Sequence, residues 1–284
     1  MAIALVKTMP SKPSSAPDME TAGDFWARIV GSLYFIPLFL GMIAGFPYAV
    51  FAGGIAIIWL AYEAARMLTG EQHSLRMALI WLLLVSPFFL AFVPLSSAAI
   101  ALIWSIFFGI SFFLNKQREL GFVGLLMLAA ICLGVLLTKQ DGHLILICLA
   151  AVISAGDIGA YFFGRLLGGP KLAPSISPSK TWTGAAGGLF CSLLVVLTLS
   201  FVLGVSFSEP AGWGFAVLVC VFAQSGDLFE SLVKRRLGIK DSSSFVPGHG
   251  GALDRFDGYL SVLPLIIAID LIHYTPFWLR LSML

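Results

Sequence analysis

From Phe25 onward the chain is nearly continuous apolar material, cut at intervals by glycine, proline and short charged clusters. The apolar runs are about 20 residues long, the length that crosses a hydrocarbon layer as a helix. Inside lipid, every backbone polar group must be satisfied within its own segment, which selects helices over open strands. The interruptions predict spans near 26–45, 47–67, 77–94, 97–115, 120–138, 144–165, 182–204, 212–235 and 257–279. The expected fold class is all-α: a polytopic integral membrane protein of about nine transmembrane helices. Ahead of them, residues 1–24 carry Lys7, Lys12, Asp18, Glu20 and Asp24 and a Pro/Ser stretch from Pro10 to Pro17. They read as a mobile cytoplasmic tail, since Ala2–Val6 is too short for a signal-peptide core.

Composition sharpens this picture. Of 284 residues, 59% are hydrophobic and 11% charged, whereas soluble domains carry about 45–50% and about 25%. A water-facing surface cannot be built from so little charge. No polar stretch is long enough for a second, soluble domain. The four cysteines (Cys132, Cys148, Cys191, Cys220) lie within apolar runs without metal-ligand spacing and read as small packing residues.

The net charge of +2 matters less than its placement. Arg66 and Arg76 follow the second span, and Lys116 and Arg118 the fourth. Arg165, Lys171 and Lys180 follow the sixth, and Lys234, Arg235, Arg236 and Lys240 the eighth. Among Lys and Arg, the intervening loops hold only Lys139. The positive-inside rule therefore places the N-terminus and the even-numbered hairpins in the cytoplasm, with Arg280 on the far side. The charge also divides the chain. Residues 25–150 read as N-terminal transmembrane helices, a scaffold carrying the contacts of an oligomer. Residues 151–284 read as a C-terminal catalytic domain.

Two segments hold most of the polar chemistry. In Ser225–Arg236, Asp227, Ser231 and Lys234 fall on one helical face, with Glu230 beside them. Ionisable residues within a membrane helix are costly and mark a polar interior. An internal ion pair of Lys234 with Asp227 or Glu230 is the plain structural alternative. In Lys240–Asp257, the run Pro247-Gly248-His249-Gly250-Gly251 interrupts helix and lets backbone N–H groups approach a phosphate. A helix start follows, itself an anion-binding end, with Asp254 and Asp257 one turn apart. Two carboxylates beside a phosphate site suit Mg²⁺; helix capping is the alternative. Further back, Asp157 lies inside an apolar span, followed by Gly159, Tyr161, Gly164 and Arg165 and then Ser177-Pro178-Ser179-Lys180-Thr181. Glycines here permit close helix packing, which explains neither Asp157 nor Lys180.

The run Ser231, Lys234, Arg235, Lys240, Asp241, Pro247, His249, Gly250, Gly251, Asp254, Arg255, Asp257 resembles the signature of the phosphatidate cytidylyltransferases, or CDP-diacylglycerol synthases. The Asp157–Arg165 stretch and the Ser177–Gly184 loop are similar to the same family, and Glu63 sits at an acidic position of its second span. Thr183 departs, standing where the family usually has Glu. That removes one carboxylate and leaves open another lipid substrate, an altered metal arrangement or a weakly active paralogue.

The resemblance implies that CTP and phosphatidate, drawn from the bilayer, give CDP-diacylglycerol and pyrophosphate. It implies Mg²⁺ held by Asp227, Asp254 and Asp257, with a second, monovalent cation beside it as an option. Lys234, Arg235, Lys240 and Arg255 would neutralise phosphate charge, and His249, Gly250 and Gly251 would contact a phosphate. Asp157, Arg165, Ser177, Lys180, Thr181, Ser231 and Asp241 would bind substrate. A multi-pass protein of the bacterial inner membrane, with its site facing the cytoplasm, is expected. So is a possible homodimer, with no nucleic-acid partner. Asp270 and His273, deep in the last span, read as helix-packing residues. Other readings are a CTP-dependent enzyme acting on another lipid phosphate or a polyprenol, a transporter with Asp157 and Asp227 as ion sites, and a non-catalytic scaffold. No inverted repeat supports a transporter, and the charges gather at one end rather than at the midplane.

Overall fold

The computed structural model describes residues 30–70, 74–93, 119–139, 141–203, 210–243, 245–246 and 250–272. Within them run eight helices: α1 Ile36–Ala44, α2 Tyr48–Thr69, α3 Leu75–Leu90, α4 Leu120–Leu137, α5 Gly142–Leu167, α6 Trp182–Leu203, α7 Pro210–Arg236 and α8 Leu253–Ile272. Local chemistry sets their ends. Gly70 adopts the left-handed conformation at φ 66° and closes α2. The Ser74 hydroxyl accepts the Met77 N–H at 3.0 Å and starts α3. Lys234, Arg235 and Arg236 fill the last turn of α7, where cations suit the helix dipole.

Eight of the nine expected spans each overlap one of these helices, some only in part: Ile36–Ala44 covers nine residues of 26–45. The fourth, 97–115, lies outside the described residues, as do the expected tail 1–24, His249 and His273, and the side chain of Asp270. Among the described residues, four helices are long and apolar enough to cross a membrane by themselves: Tyr48–Thr69, Gly142–Leu167, Trp182–Val202 and Trp213–Arg236. Large apolar side chains cover their outer faces, with Phe201 90% and Phe51 67% exposed. Such surface is sustainable against lipid, not water. The chain is a helical membrane protein.

One element departs from an all-α reading. Strands β1, Lys171–Ala173, and β2, Ser177–Thr181, form an antiparallel hairpin that pairs Lys171 with Thr181 and Ala173 with Ser177. Pro170, Pro174 and Pro178 deny this stretch a helical hydrogen-bond ladder. Positive φ at Gly168 and Gly169 has already stopped α5.

Glycine decides how closely helices α5 to α8 pack. A Cβ on Gly159 would lie 2.7 Å from the Gly187 carbonyl oxygen, and one on Gly188 2.7 Å from that of Gly156. Backbones of α5 and α6 therefore touch directly, and the Ser192 hydroxyl donates across the seam to the Val152 carbonyl at 3.0 Å. Helices α7 and α8 approach as tightly at Gly226, where a Cβ would meet the Asp257 carbonyl oxygen at 2.7 Å. The other half buries Ile80, Leu84, Phe88, Phe122 and Met127 between α2, α3 and α4.

The polar ends assemble on one side of the bundle. Glu63, near the end of α2, reaches the α7–α8 loop. Arg235, at the end of α7, donates from Nε to the Ile176 carbonyl of the hairpin at 3.3 Å. Glu119, preceding α4, is within electrostatic range of Arg236. Among the described residues, the end of α2, the residue before α4, the hairpin and the α7–α8 loop thus meet at one end of the bundle; Lys116 and Arg118 lie outside them.

Candidate active site

Two polar centres form at that end, both anchored on α7. In the first, the Lys180 ammonium on β2 forms an ion pair with the Asp227 carboxylate on α7. The Ser231 hydroxyl, one turn on, points at the other Asp227 oxygen at 3.4 Å. Asp257 of α8 lies in electrostatic range of Asp227, Asp157 and Lys180. Asp157 of α5 in turn senses Asp227, Lys180 and Arg255. Four elements thus gather three carboxylates around Lys180 and Arg255. The close α7–α8 approach at Gly226 is what lets Asp257 sit beside Asp227.

The second centre holds the motif loop in shape. Lys234 Nζ lies 2.6 Å from Asp254 Oδ1 and 3.2 Å from Glu230 Oε1. Asp254 also accepts the backbone N–H of Ser242 and, at 2.9 Å, that of Gly251. Asp254 precedes the apolar stretch of α8. Burial opposes its charge, but the Lys234 ammonium and the two N–H donors hold its carboxyl below the ordinary value. Glu230 is fully buried. Its contact with Lys234 is at ion-pair distance without hydrogen-bond alignment, and neither carboxylate oxygen has a hydrogen-bond partner among the described residues.

Glu63 supports this loop from 180 residues away. It is 1% exposed. It accepts hydrogen bonds from Trp59 Nε1 at 3.1 Å, Ser243 Oγ at 2.8 Å, Ser242 Oγ at 3.3 Å and the Leu253 N–H at 2.9 Å. Gly251 is small of necessity, because a Cβ there would come within 2.5 Å of Glu63 Oε2. Glu63 and Glu230 are the buried carboxylates of this centre that sequence reasoning underweighted. Their signal was a carboxylate within an otherwise apolar helix.

The remaining site candidates are distributed as follows. Thr181 is 5% exposed, and its hydroxyl accepts the Gly184 N–H at 3.0 Å, so it caps α6. Ser177 stands at the start of β2. Arg165 is exposed and donates to its own helix neighbour Tyr161 Oη at 2.6 Å. Lys240 and Asp241 are exposed on the α7–α8 loop. Gly250 takes φ 77°, and its carbonyl accepts the Val246 N–H at 3.0 Å. The Gly251 N–H is occupied by Asp254 instead of being offered to a phosphate. Thr183, at the position of the missing carboxylate, donates to the Gly168 carbonyl and pairs with Thr181 Oγ1 at 3.1 Å. It latches the hairpin to the end of α5.

As a metal set, the three expected aspartates separate. Asp227 and Asp257 face one another, and Asp254 turns to Lys234. No group of three His, Cys, Asp or Glu side chains among the described residues converges to ligating distance. The oxygen-only chemistry of Asp157, Asp227 and Asp257 nonetheless fits a hard divalent cation.

Comparison with known proteins extends this picture along the chain. The phosphatidate cytidylyltransferase of Brucella suis biovar 1 (strain 1330) is 44% identical over 138 residues, 48% of this chain and 50% of that protein. The phosphatidate cytidylyltransferase of Staphylococcus aureus (strain COL) is 43% identical over 129 residues, 45% of this chain and 50% of that protein. The chain thus spans about half the length of the curated relatives it matches. The model of the cytidylyltransferase family, in contrast, matches residues 26–272, taking in every described helix and both polar centres, and to that family the chain belongs.

Proposed function

We propose that the protein is a phosphatidate cytidylyltransferase, converting CTP and phosphatidate to CDP-diacylglycerol and pyrophosphate. The observation that carries this reading is the gathering of Asp157, Asp227 and Asp257 around Lys180 and Arg255, in a chain of the cytidylyltransferase family.

An oxygen of the lipid phosphate attacks the α-phosphorus of CTP. The bond from that phosphorus to the bridging oxygen breaks, and pyrophosphate leaves with the electron pair. The attacking oxygen is already anionic, so no general base is needed. The work of the protein is alignment of two polyanions and neutralisation of their charge. Lys180 and Arg255 supply positive charge at the first centre. Lys234 holds Asp254, and Glu63 holds the loop, so that Arg255 and Asp257 leave the start of α8 in fixed directions. Arg235 and Lys240 border the same end of the bundle and its loop, and His249 of the motif run would complete the phosphate-binding set with them.

Mg²⁺ would be held by Asp227 and Asp257 with Asp157 adjoining, and would supply charge neutralisation on the triphosphate. A monovalent cation beside it would balance the remaining carboxylates. The full chain would cross the bacterial inner membrane about nine times, with this end facing the cytoplasm, where CTP is found. Residues 25–150 would serve as scaffold and homodimer surface, and 151–284 as the catalytic unit.

The test is a substrate panel. Purified protein with Mg²⁺ and [α-³²P]CTP should label phosphatidate to CDP-diacylglycerol, with equimolar pyrophosphate, and should leave polyprenol unphosphorylated by [γ-³²P]CTP. Transfer of the γ-phosphoryl group to polyprenol, with no CDP-lipid, would replace this reading by the kinase one.

A further inference from the structure

The two lysine–carboxylate centres on α7 differ in how much water reaches them. Lys234 sits between Glu230 and Asp254 with its side chain 10% exposed and theirs 0% and 13%. Drawing its ammonium away would strand two buried charges, so it stays. Lys180 and Asp227 have side chains 26% and 31% exposed. A pair with that much water beside it is held weakly and opens without stranding either charge. The strand beneath Lys180 is anchored: Lys171 pairs with Thr181, Thr181 caps α6, and Arg235 holds the Ile176 carbonyl. What moves is the ammonium, on its flexible four-carbon stem.

Asp227 has both oxygens engaged, one by the Lys180 ammonium and the other by the Ser231 hydroxyl. Asp157 and Asp257 lie in electrostatic range of Asp227 and of Lys180. A divalent cation ligated by Asp227 needs one of its oxygens and repels an ammonium at contact distance. Cation and ammonium therefore exclude one another at Asp227. A phosphate offers the displaced ammonium a new anionic partner. We infer that Lys180 is an exchangeable counter-ion, which covers Asp227 until a divalent cation takes that carboxylate and then carries its charge to a substrate phosphate. The inference rests on the function proposed above and adds to it the order in which charges pair. Its consequence is that cation binding without nucleotide is held back by the fraction of molecules in which Lys180 covers Asp227.

The test counts Mn²⁺ bound to the purified protein in detergent micelles, without nucleotide, from the loss of the free ion's electron paramagnetic resonance signal. If Lys180 covers Asp227 in about nine molecules of ten, Lys180→Met should bind Mn²⁺ about tenfold more tightly than the unsubstituted protein. Lys180→Gln should do the same, and Lys180→Arg, which keeps the charge, should gain nothing. Lys171 is exposed on the paired strand. Lys171→Met removes the same charge there and should gain less than about twofold, the screened effect of an exposed cation. The α,β-methylene analogue of CTP, titrated at saturating Mg²⁺, should instead bind Lys180→Met about tenfold more weakly, through the lost phosphate contact. Opposite signs separate exchange from damage to the fold, which would weaken both ligands. Mn²⁺ affinity unchanged in both Lys180→Met and Lys180→Gln, or an equal gain in Lys171→Met, would overturn the inference. So would an analogue bound as tightly by Lys180→Met as by the unsubstituted protein. If neither the unsubstituted protein nor any variant binds Mn²⁺, the divalent-cation centre of the proposed function is overturned, and the inference with it.

Discussion

Removing the Lys234 ammonium tests the second polar centre most sharply. Lys234→Met keeps most of the side-chain length and leaves two carboxylates without their shared cation. Glu230 and Asp254 have side chains 0% and 13% exposed. Taking one partner from a buried ion pair costs about 3–5 kcal/mol, because the remaining charge is stranded out of water. The two acids do not share that cost equally. Asp254 keeps the N–H groups of Ser242 and Gly251, whereas Glu230 keeps nothing comparable. Most of the penalty should therefore disappear when Glu230 is also neutralised. The assay is thermal unfolding in detergent micelles of the protein, Lys234→Met, Glu230→Gln and the double variant. At ~2–4 °C per kcal/mol for chains near this size, Lys234→Met should lower the midpoint by roughly 10 °C. The double variant should recover at least half of that, a coupling of about 2 kcal/mol. A fall below about 2 °C, or a double variant no more stable than Lys234→Met, would refute the reasoning built on stranded charge.

Other expectations concern the supports around the two centres. Glu63→Gln turns one of two acceptor oxygens into a donor, so two of its four donors lose a partner at ~1–3 kcal/mol each. Amides of residues 242–253 should then exchange faster and kcat/KM fall at least tenfold, about 1.4 kcal/mol; unchanged exchange would contradict the role given to Glu63. Thr183→Val deletes the latch hydroxyl at a cost of about 1 kcal/mol. Hairpin amides 171–181 should exchange faster while turnover stays within about threefold, and a hundredfold loss would place Thr183 in the catalytic machinery itself.

Much of this architecture was readable from residue order, and the reasons it was readable are physical. Lipid excludes unsatisfied backbone, so apolar runs had to be helices, and α5, α6 and α7 fall within a few residues of the expected spans. Short basic loops marked the end at which the polar centres gather. The hairpin Lys171–Thr181 was not legible, because three prolines forbid helix without prescribing strand. Glu63 could be noticed but not placed, since its partners Ser242, Ser243 and Leu253 lie 179 to 190 residues away. The motif spacing put Asp227, Asp254 and Asp257 within one signature but did not reveal their partners. Those depend on rotamers at the α7–α8 contact, which assign Lys180 to Asp227 and Lys234 to Asp254. Spacing likewise could not tell that Thr181 caps a helix or that Arg165 folds back on Tyr161.

The account stands or falls on Asp227, the residue that joins α7 to Lys180 and faces Asp257. Asp227→Asn keeps shape and removes the charge at the first centre. The decisive measurement is the rate of CDP-diacylglycerol formation from [α-³²P]CTP and phosphatidate in Mg²⁺, compared between the purified protein and this variant at matched thermal stability. The account predicts label in the lipid phase for the protein and a loss of at least ~100-fold for the variant, the scale of one lost electrostatic contribution to a transition state. Turnover of Asp227→Asn within twofold of the unsubstituted protein would contradict it.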